Sequence, residues 1–207
     1  MLPQSFYARD AKTVARALLG CLLVYHSPTG CLRLRIVETE AYLGIEDAAC
    51  HAAKGRTPRT EVMFGAAGYA YVYLIYGMYH MLNIVTAQAG QAHAVLLRAA
   101  EPCPSGINSS DKQDRDKLKH NKHKHTNGPG KLCRALGIDR SHNGLALTAP
   151  PLYLEPGTPP AHIACSPRIG IDYAGAWKDA PLRFYDADSR YVSHISRPRR
   201  AQKRTQG

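Results

Sequence analysis

The sequence predicts an α+β fold, and three observations carry that prediction. Two apolar runs, Cys21–Tyr25 and Cys31–Tyr42, flank Ser27-Pro28-Thr29-Gly30 and read as an antiparallel strand pair. A tyrosine-rich stretch, Tyr69–Thr86, is interrupted by Gly77 and reads as a β-hairpin with Tyr76-Gly77-Met78 at its tip. Helical signals are confined to short segments, one near the start and one around Lys131.

Taken in order, Asp10 is placed to cap a helix over Ala11–Leu19, with Gly20 just beyond its end and Val14, Leu18 and Leu19 as its apolar stripe. In the second strand, strict alternation puts Leu32, Leu34, Ile36, Glu38, Glu40 and Tyr42 on one face and Arg33, Arg35, Val37, Thr39 and Ala41 on the other. A carboxylate on a core-facing register must be paired, protonated or lining a pocket. The competing readings are an edge strand turning into solvent, or a bulge that flips the register, and periodicity does not choose among them.

Gly44–Pro58 reads as a loop or short helix that carries His51, Lys54 and Arg56, with Arg59 just beyond, near the Glu40 end; Thr60–Phe64 is brief and mixed. At the hairpin tip an exposed tyrosine and methionine compete with a bend packed under another loop. Ala92–Ala99 reads as a central strand that ends in Arg98, either a buried partner for Glu40 or a snorkelling surface residue. Asn127-Gly128-Pro129-Gly130-Lys131-Leu132 opens a helix through Leu136, stopped by Gly137. Leu145–Leu154 and Arg168–Ile171 read as strands, and Pro181–Tyr185 as a last core segment.

The chain of 207 residues suits one domain over 1–195, with a flexible basic insert at 105–126 and a disordered basic tail at 196–207. A formal net charge of +11 favours a polyanionic partner, nucleic acid or an anionic membrane surface. No run approaches the ~18 apolar residues of a membrane span, and no signal peptide is evident. Cys21, Cys31, Cys50, Cys103, Cys133 and Cys165 are scattered without a Cys-x-x-Cys pair, which suits reduced thiols in the cytoplasm rather than disulfides or zinc. Lys119–His125 alternates lysine with histidine in a spacing that matches no structural metal site and reads as a solvated basic loop. Lys131, at a glycine-rich helix start, suits a phosphate contact but lacks the length and the Ser/Thr of a P-loop.

The residue inventory is a carboxylate leaving a core strand, tyrosines, one histidine and nearby arginines on a basic chain. It suits an enzyme that binds a polyanion, stacks a planar group and uses a carboxylate as general base. Arg35-Ile36-Val37-Glu38-Thr39-Glu40-Ala41-Tyr42-Leu43-Gly44 resembles the signature strand of the alkyladenine (3-methyladenine) DNA glycosylase family. Further matches in order are His51–Phe64 with Thr57-Pro58-Arg59, Tyr71–Tyr79, Asn83, Val95–Ala99, Asn127–Leu132, Arg168–Ile171 and Pro181–Tyr185.

The resemblance implies a single domain built on a curved, mostly antiparallel, open-barrel-like sheet, with flanking helices and a hairpin protruding around Tyr76. It implies a monomeric bacterial repair enzyme of the nucleoid-associated cytoplasm. That enzyme acts on double-stranded DNA containing a damaged purine, cuts the N-glycosidic bond, and needs neither metal nor cofactor nor membrane. By the same resemblance Glu40 deprotonates the attacking water, and Arg98 and the backbone carbonyl of Ile169 help to hold that water. Tyr42, His51 and Tyr73 wall the base pocket, and Asn83 sits at its floor against the amino group of guanine. Tyr76 fills the gap left by the flipped nucleotide, with Met78 beside it, while Arg56, Arg59 and Lys131 meet the DNA backbone. Glu38 is then structural, an ion-pair partner for an arginine. Two other classes compete: a non-catalytic DNA- or RNA-binding module with base-stacking tyrosines, and a glycosylase-lyase that uses Lys131 as Schiff base.

Overall fold

A strand of 14 residues, Gly30–Leu43, is the piece on which the others assemble. The computed structural model describes residues 1–28, 30–103 and 126–193. The 105–126 insert (Thr126 apart) and the 196–207 tail therefore lie outside the described residues, as does Thr29 of the first turn. The helices are α1 (Gln4–Tyr7), α2 (Ala11–Ala17) and α3 (Pro129–Leu136). The strands are β1 (Leu22–Ser27), β2 (Gly30–Leu43), β3 (Ala70–Ile75), β4 (Tyr79–Thr86), β5 (His93–Pro102), β6 (Thr148–Ala149), β7 (Leu152–Glu155), β8 (Ile163–Ser166) and β9 (Arg183–Asp186).

All pairings are antiparallel, in the order β3-β4-β5-β2-β1-β7-β6, with β9 on β2 and β8 on β9. The sheet curls into a half-barrel, so the fold is α+β as expected. One flank of β2 is divided: its first half pairs with β1, while Glu38, Thr39 and Glu40 pair with β9. Beneath the sheet, α2 and α3 close the main core around Leu18, Leu23, Ile36, Ile84, Leu97 and Leu132. The Asp10 carboxylate accepts from the Thr13 amide at 2.9 Å, which starts α2 as its sequence predicts, and Gly137 ends α3 in the left-handed conformation.

The expected alternation along β2 fails at its centre. Ile36 pairs with Ala100 and Thr39 with Leu97, but Glu38 sits opposite Ala99, so both strands slip between those points. Ile36 and Thr39 are an odd number of residues apart, and a regular strand would place them on opposite faces. Instead Ile36 lies in the main core and the Thr39 hydroxyl donates to the Ala15 carbonyl of α2 at 2.9 Å. The bulge thus flips the strand: Leu34, Ile36, Thr39 and Ala41 serve the core beneath α2, while Glu38, Glu40 and Tyr42 emerge on the other side. That side is not open solvent, because Glu38 and Glu40 are both fully buried.

Two other expectations change. Arg168–Ile171 is an irregular loop, since Gly170 has φ 75° and the Ile169 amide points at the Glu40 carboxylate rather than along a ladder. Leu145–Leu154 breaks at Pro150 and Pro151, which have no N–H to donate, leaving the short β6–β7 hairpin. The half-exposed β8 carries no alternation that reads as a strand. All six cysteines are free thiols, with Cys21, Cys50 and Cys133 buried and Cys165 exposed.

Replacing Asp10 by alanine removes the cap of α2 and should lower the unfolding free energy by about 1 kcal/mol in urea titration.

Candidate active site

The slip in β2 places two carboxylates side by side in the protein interior, and their surroundings differ. Both oxygens of Glu38 are committed. Oε1 accepts from Arg98 Nε at 2.8 Å, Arg183 Nε at 2.7 Å and the Ser193 hydroxyl at 2.7 Å. Oε2 accepts from the Ser193 amide at 2.6 Å. Burial pushes this carboxyl upward, but Arg98, Arg183 and Ser193 outweigh it and hold Glu38 below the ordinary range. Four donors hold Glu38, three on Oε1 and one on Oε2, and two of them are arginines, so this carboxylate is anchored from two sides.

Glu40 is less committed. Its Oε1 accepts from the Ile169 amide at 2.8 Å and lies 3.2 Å from Arg98 Nη1, and its Oε2 accepts from the Tyr42 hydroxyl at 2.9 Å. Arg98 bridges the two acids; burial alone would weaken its hold on the proton, but Glu40 and Glu38 more than offset that and keep it a cation. Tyr42 is held well above an ordinary phenol by burial and by the Glu40 charge, so it remains the donor of its bond.

A second ion pair fixes the frame. Arg168 and Asp47 are fully buried and joined at 2.5 and 2.8 Å, and Arg168 also donates to the Ala41 carbonyl at 2.9 Å. Asp47 in turn accepts from the Leu43 and Ala49 amides, and the Arg168 guanidinium lies 4.7 Å over the Tyr42 ring. The loop that carries Ile169 is thereby tied to the loop after β2, which aims the Ile169 amide at Glu40.

Beside Glu40 lies a cavity of about 120 Å³ whose lining includes Tyr42, His51, Tyr71, Tyr73, Asn83 and Ile169. β3 delivers Tyr71 and Tyr73 from one face, 5.4 Å apart between ring centres. His51, from the 3₁₀ turn His51–Lys54, meets Tyr73 edge-on at 4.3 Å and shares a 3.0 Å hydrogen bond between Nδ1 and the Tyr71 hydroxyl. Burial, then Arg59 and Lys54, push His51 down to about 4, so it is neutral near pH 7. Asn83 is buried on β4, its amide donating to the Tyr71 and Met81 carbonyls at 3.1 and 3.3 Å.

The structure therefore gathers Glu40, Arg98, Tyr42, His51, Tyr73, Asn83 and Ile169 in one place. The Ile169 contact it displays is through the amide. Tyr76 and Met78 stand apart at the hairpin tip, 83% and 62% exposed, with φ of 53° at Tyr76 and 68° at Gly77; the tip is not packed under another loop. Arg56 pairs at 3.6 Å with Glu61, Arg59 lies 5.3 Å over the Tyr73 ring, and the exposed Lys131 donates to the Asn127 side chain at 3.0 Å. Sequence reasoning missed Asp47, Arg183 and Ser193 as partners. An unpaired buried arginine in the Arg168 and Arg183 motifs was a usable signal for an acid, whereas nothing marked Ser193. No group of three or more potential metal ligands occurs among the described residues.

Glu38→Gln leaves Arg98 and Arg183 short of a counter-charge and should destabilise the fold by about 3–5 kcal/mol. Glu40→Gln should cost less, because Arg98 keeps Glu38; urea unfolding ranks the two. The half-buried His51 imidazole binds its proton more weakly in the fold than in the unfolded chain, where its value is near 6.5. Its contribution is complete above pH 6.5 and declines as pH falls toward about 4. The urea midpoint should fall over that window in wild type, and His51→Asn should flatten the slope above pH 5.

Comparison with known proteins agrees with this geometry. Residues 5–190 match the family model described as methylpurine-DNA glycosylase. A protein of Myxococcus xanthus (strain DK1622) is 54% identical over 194 residues, covering 93% of both chains. One of Methanocella arvoryzae is 50% identical, covering 93% of this chain and 96% of its own, and one of Legionella pneumophila (strain Lens) is 48% identical, covering 93% and 97%. Each of these relatives is provisionally named a 3-methyladenine DNA glycosylase. With a buried carboxylate beside an aromatic pocket and a family match across nearly its whole described length, the chain belongs to the methylpurine-DNA glycosylase family.

Proposed function

We propose that the protein is a monofunctional DNA glycosylase of base-excision repair. It receives an alkylated or deaminated purine flipped from duplex DNA and hydrolyses the N-glycosidic bond, leaving an abasic site. The observation that carries this reading is that Glu40 is held by Tyr42, Arg98 and Ile169, three residues that themselves line the aromatic pocket. A water there gives its proton to Glu40 while its oxygen bonds to the sugar C1′, and the glycosidic electron pair leaves with the purine. Arg98 and the Ile169 backbone orient that water, and the carboxylate charge favours an oxocarbenium-like transition state.

Tyr42, His51 and Tyr73 hold the base, and the rings attract a cationic alkylpurine. A neutral His51 adds no repulsion to such a cation. Asn83, tied by two hydrogen bonds, stands as a rigid post against the amino group of guanine. Tyr76, with Met78, fills the gap in the duplex; its left-handed backbone costs roughly 1 kcal/mol or more, strain that suits a side chain kept outward for use. Arg56, Arg59 and Lys131 meet backbone phosphates. The enzyme works as a monomer on cytoplasmic DNA at the nucleoid; among the described residues no helix is long and apolar enough to cross a membrane. A lyase acting through Lys131 is disfavoured, because that amine is exposed and bound to Asn127.

A duplex carrying one 3-methyladenine, hypoxanthine or ethenoadenine, incubated in EDTA, should release the base and keep an intact abasic strand. Glu40→Gln should slow release by about 10²–10⁴-fold. Binding without release in both proteins would favour a non-catalytic module, and a borohydride-trapped adduct with strand cleavage a lyase. Tyr76→Gly should suppress excision without lowering the urea midpoint, because it relieves the strained backbone.

A further inference from the structure

Six large apolar side chains are exposed among the described residues: Met1, Ile45, Tyr69, Tyr76, Met78 and Tyr173. Of these, Tyr173 alone lines the aromatic pocket while being 72% exposed. It sits between Gly170 and Gly175, both with positive φ, so its loop turns sharply at either end and presents the ring outward. Below it, Ile171 and Ala174 are buried with Ala49 against partly buried Tyr42 and Trp177, which anchors the loop under the ring. Tyr173 also lines a second cavity of about 270 Å³, whose walls include Lys54, Thr57 and Arg59. Neither Lys54 nor Arg59 has a carboxylate partner among the ion pairs of the described residues.

The ring thus stands on the divide between an apolar chamber suited to a base and a cationic chamber suited to a phosphate. An extruded nucleotide spans that divide at its sugar. We propose that Tyr173 is a substrate-binding residue whose ring packs against the extruded nucleotide at the junction of base and sugar, covering it from the side open to solvent. The inference rests on the glycosylase reading above. It explains why a large apolar surface is left in water at this place: its partner arrives with the substrate. Tyr173 would complete the enclosure begun by Tyr42, His51 and Tyr73, leaving a water held at the buried Glu40 as the one that faces the sugar.

Binding is measured in the Glu40→Gln background, so that a hypoxanthine duplex persists, against an undamaged duplex at the same salt. Tyr173→Ala should weaken binding of the damaged duplex by about 5- to 150-fold, the usual effect of losing a base–aromatic contact, and leave undamaged binding unchanged. Tyr173→Phe should restore it. Equal loss on both duplexes, or no loss, overturns the proposal, while wild-type base release keeps the glycosylase reading in either case. Tyr173→Trp supplies a readout independent of chemistry. Its fluorescence, taken as the difference from wild type, should change with the damaged duplex and not with the undamaged one. Should the wild type release no base, that difference signal still decides: its absence removes the contact, its presence retains it.

Discussion

Arg98 held between Glu38 and Glu40 is the interaction on which the rest depends. A guanidinium and two carboxylates taken from water carry a large desolvation cost, and only close pairing with filled hydrogen bonds offsets it. Here the pairing is extended by Arg183, which brings β9 against β2, and by Ser193, which draws the end of the described chain onto Glu38. The charges of Glu38, Glu40, Arg98 and Arg183 sum to zero, so the cluster is tolerated inside. Its asymmetry sets the chemistry: Glu38, tied to two arginines and Ser193, serves as an anchor, while Glu40 is bonded to Tyr42 and Ile169, which line the pocket.

The same logic of neutrality applies to the pocket. Its walls include phenols and an uncharged imidazole, kept so by burial, and the Arg98 cation among them is balanced by Glu38 and Glu40. On the proposed reading, long-range attraction to DNA and short-range selection of a cationic base are assigned to different residues. A basic surface gathers the polyanion without making the chamber hostile to a positive purine.

Most of this was legible in the sequence wherever a local signal exists. Asp10, Gly137 and the Tyr76-Gly77 turn announce their elements through backbone chemistry, and the strands fall close to where apolar runs place them. The face of the carboxylates was not legible, because alternation assumes an unbroken ladder and the bulge at Val37–Glu38 leaves no compositional trace. Nor was the loop at Arg168–Ile171, whose short apolar run imitates a strand. Asp47–Arg168 and Glu38–Ser193 are contacts between residues more than a hundred positions apart, which one sequence read alone does not pair. Long motifs in fixed order, rather than periodicity, distinguished Glu40 from Glu38.

The flip of β2 has one more consequence. Because a single strand feeds the main core on one side and the pocket on the other, one side of the chamber is sheet, and the loops of His51 and of residues 169–173 supply the rest. On the sheet side, widening it would require breaking either the strand pairing or the buried ion pairs. A chamber fixed on that side leaves the motion to its guest, so on the proposed reading base pairs are sorted by how long they stay open. A lesion that weakens pairing or stacking lingers outside the helix, long enough to be caught, whereas a sound pair closes again first.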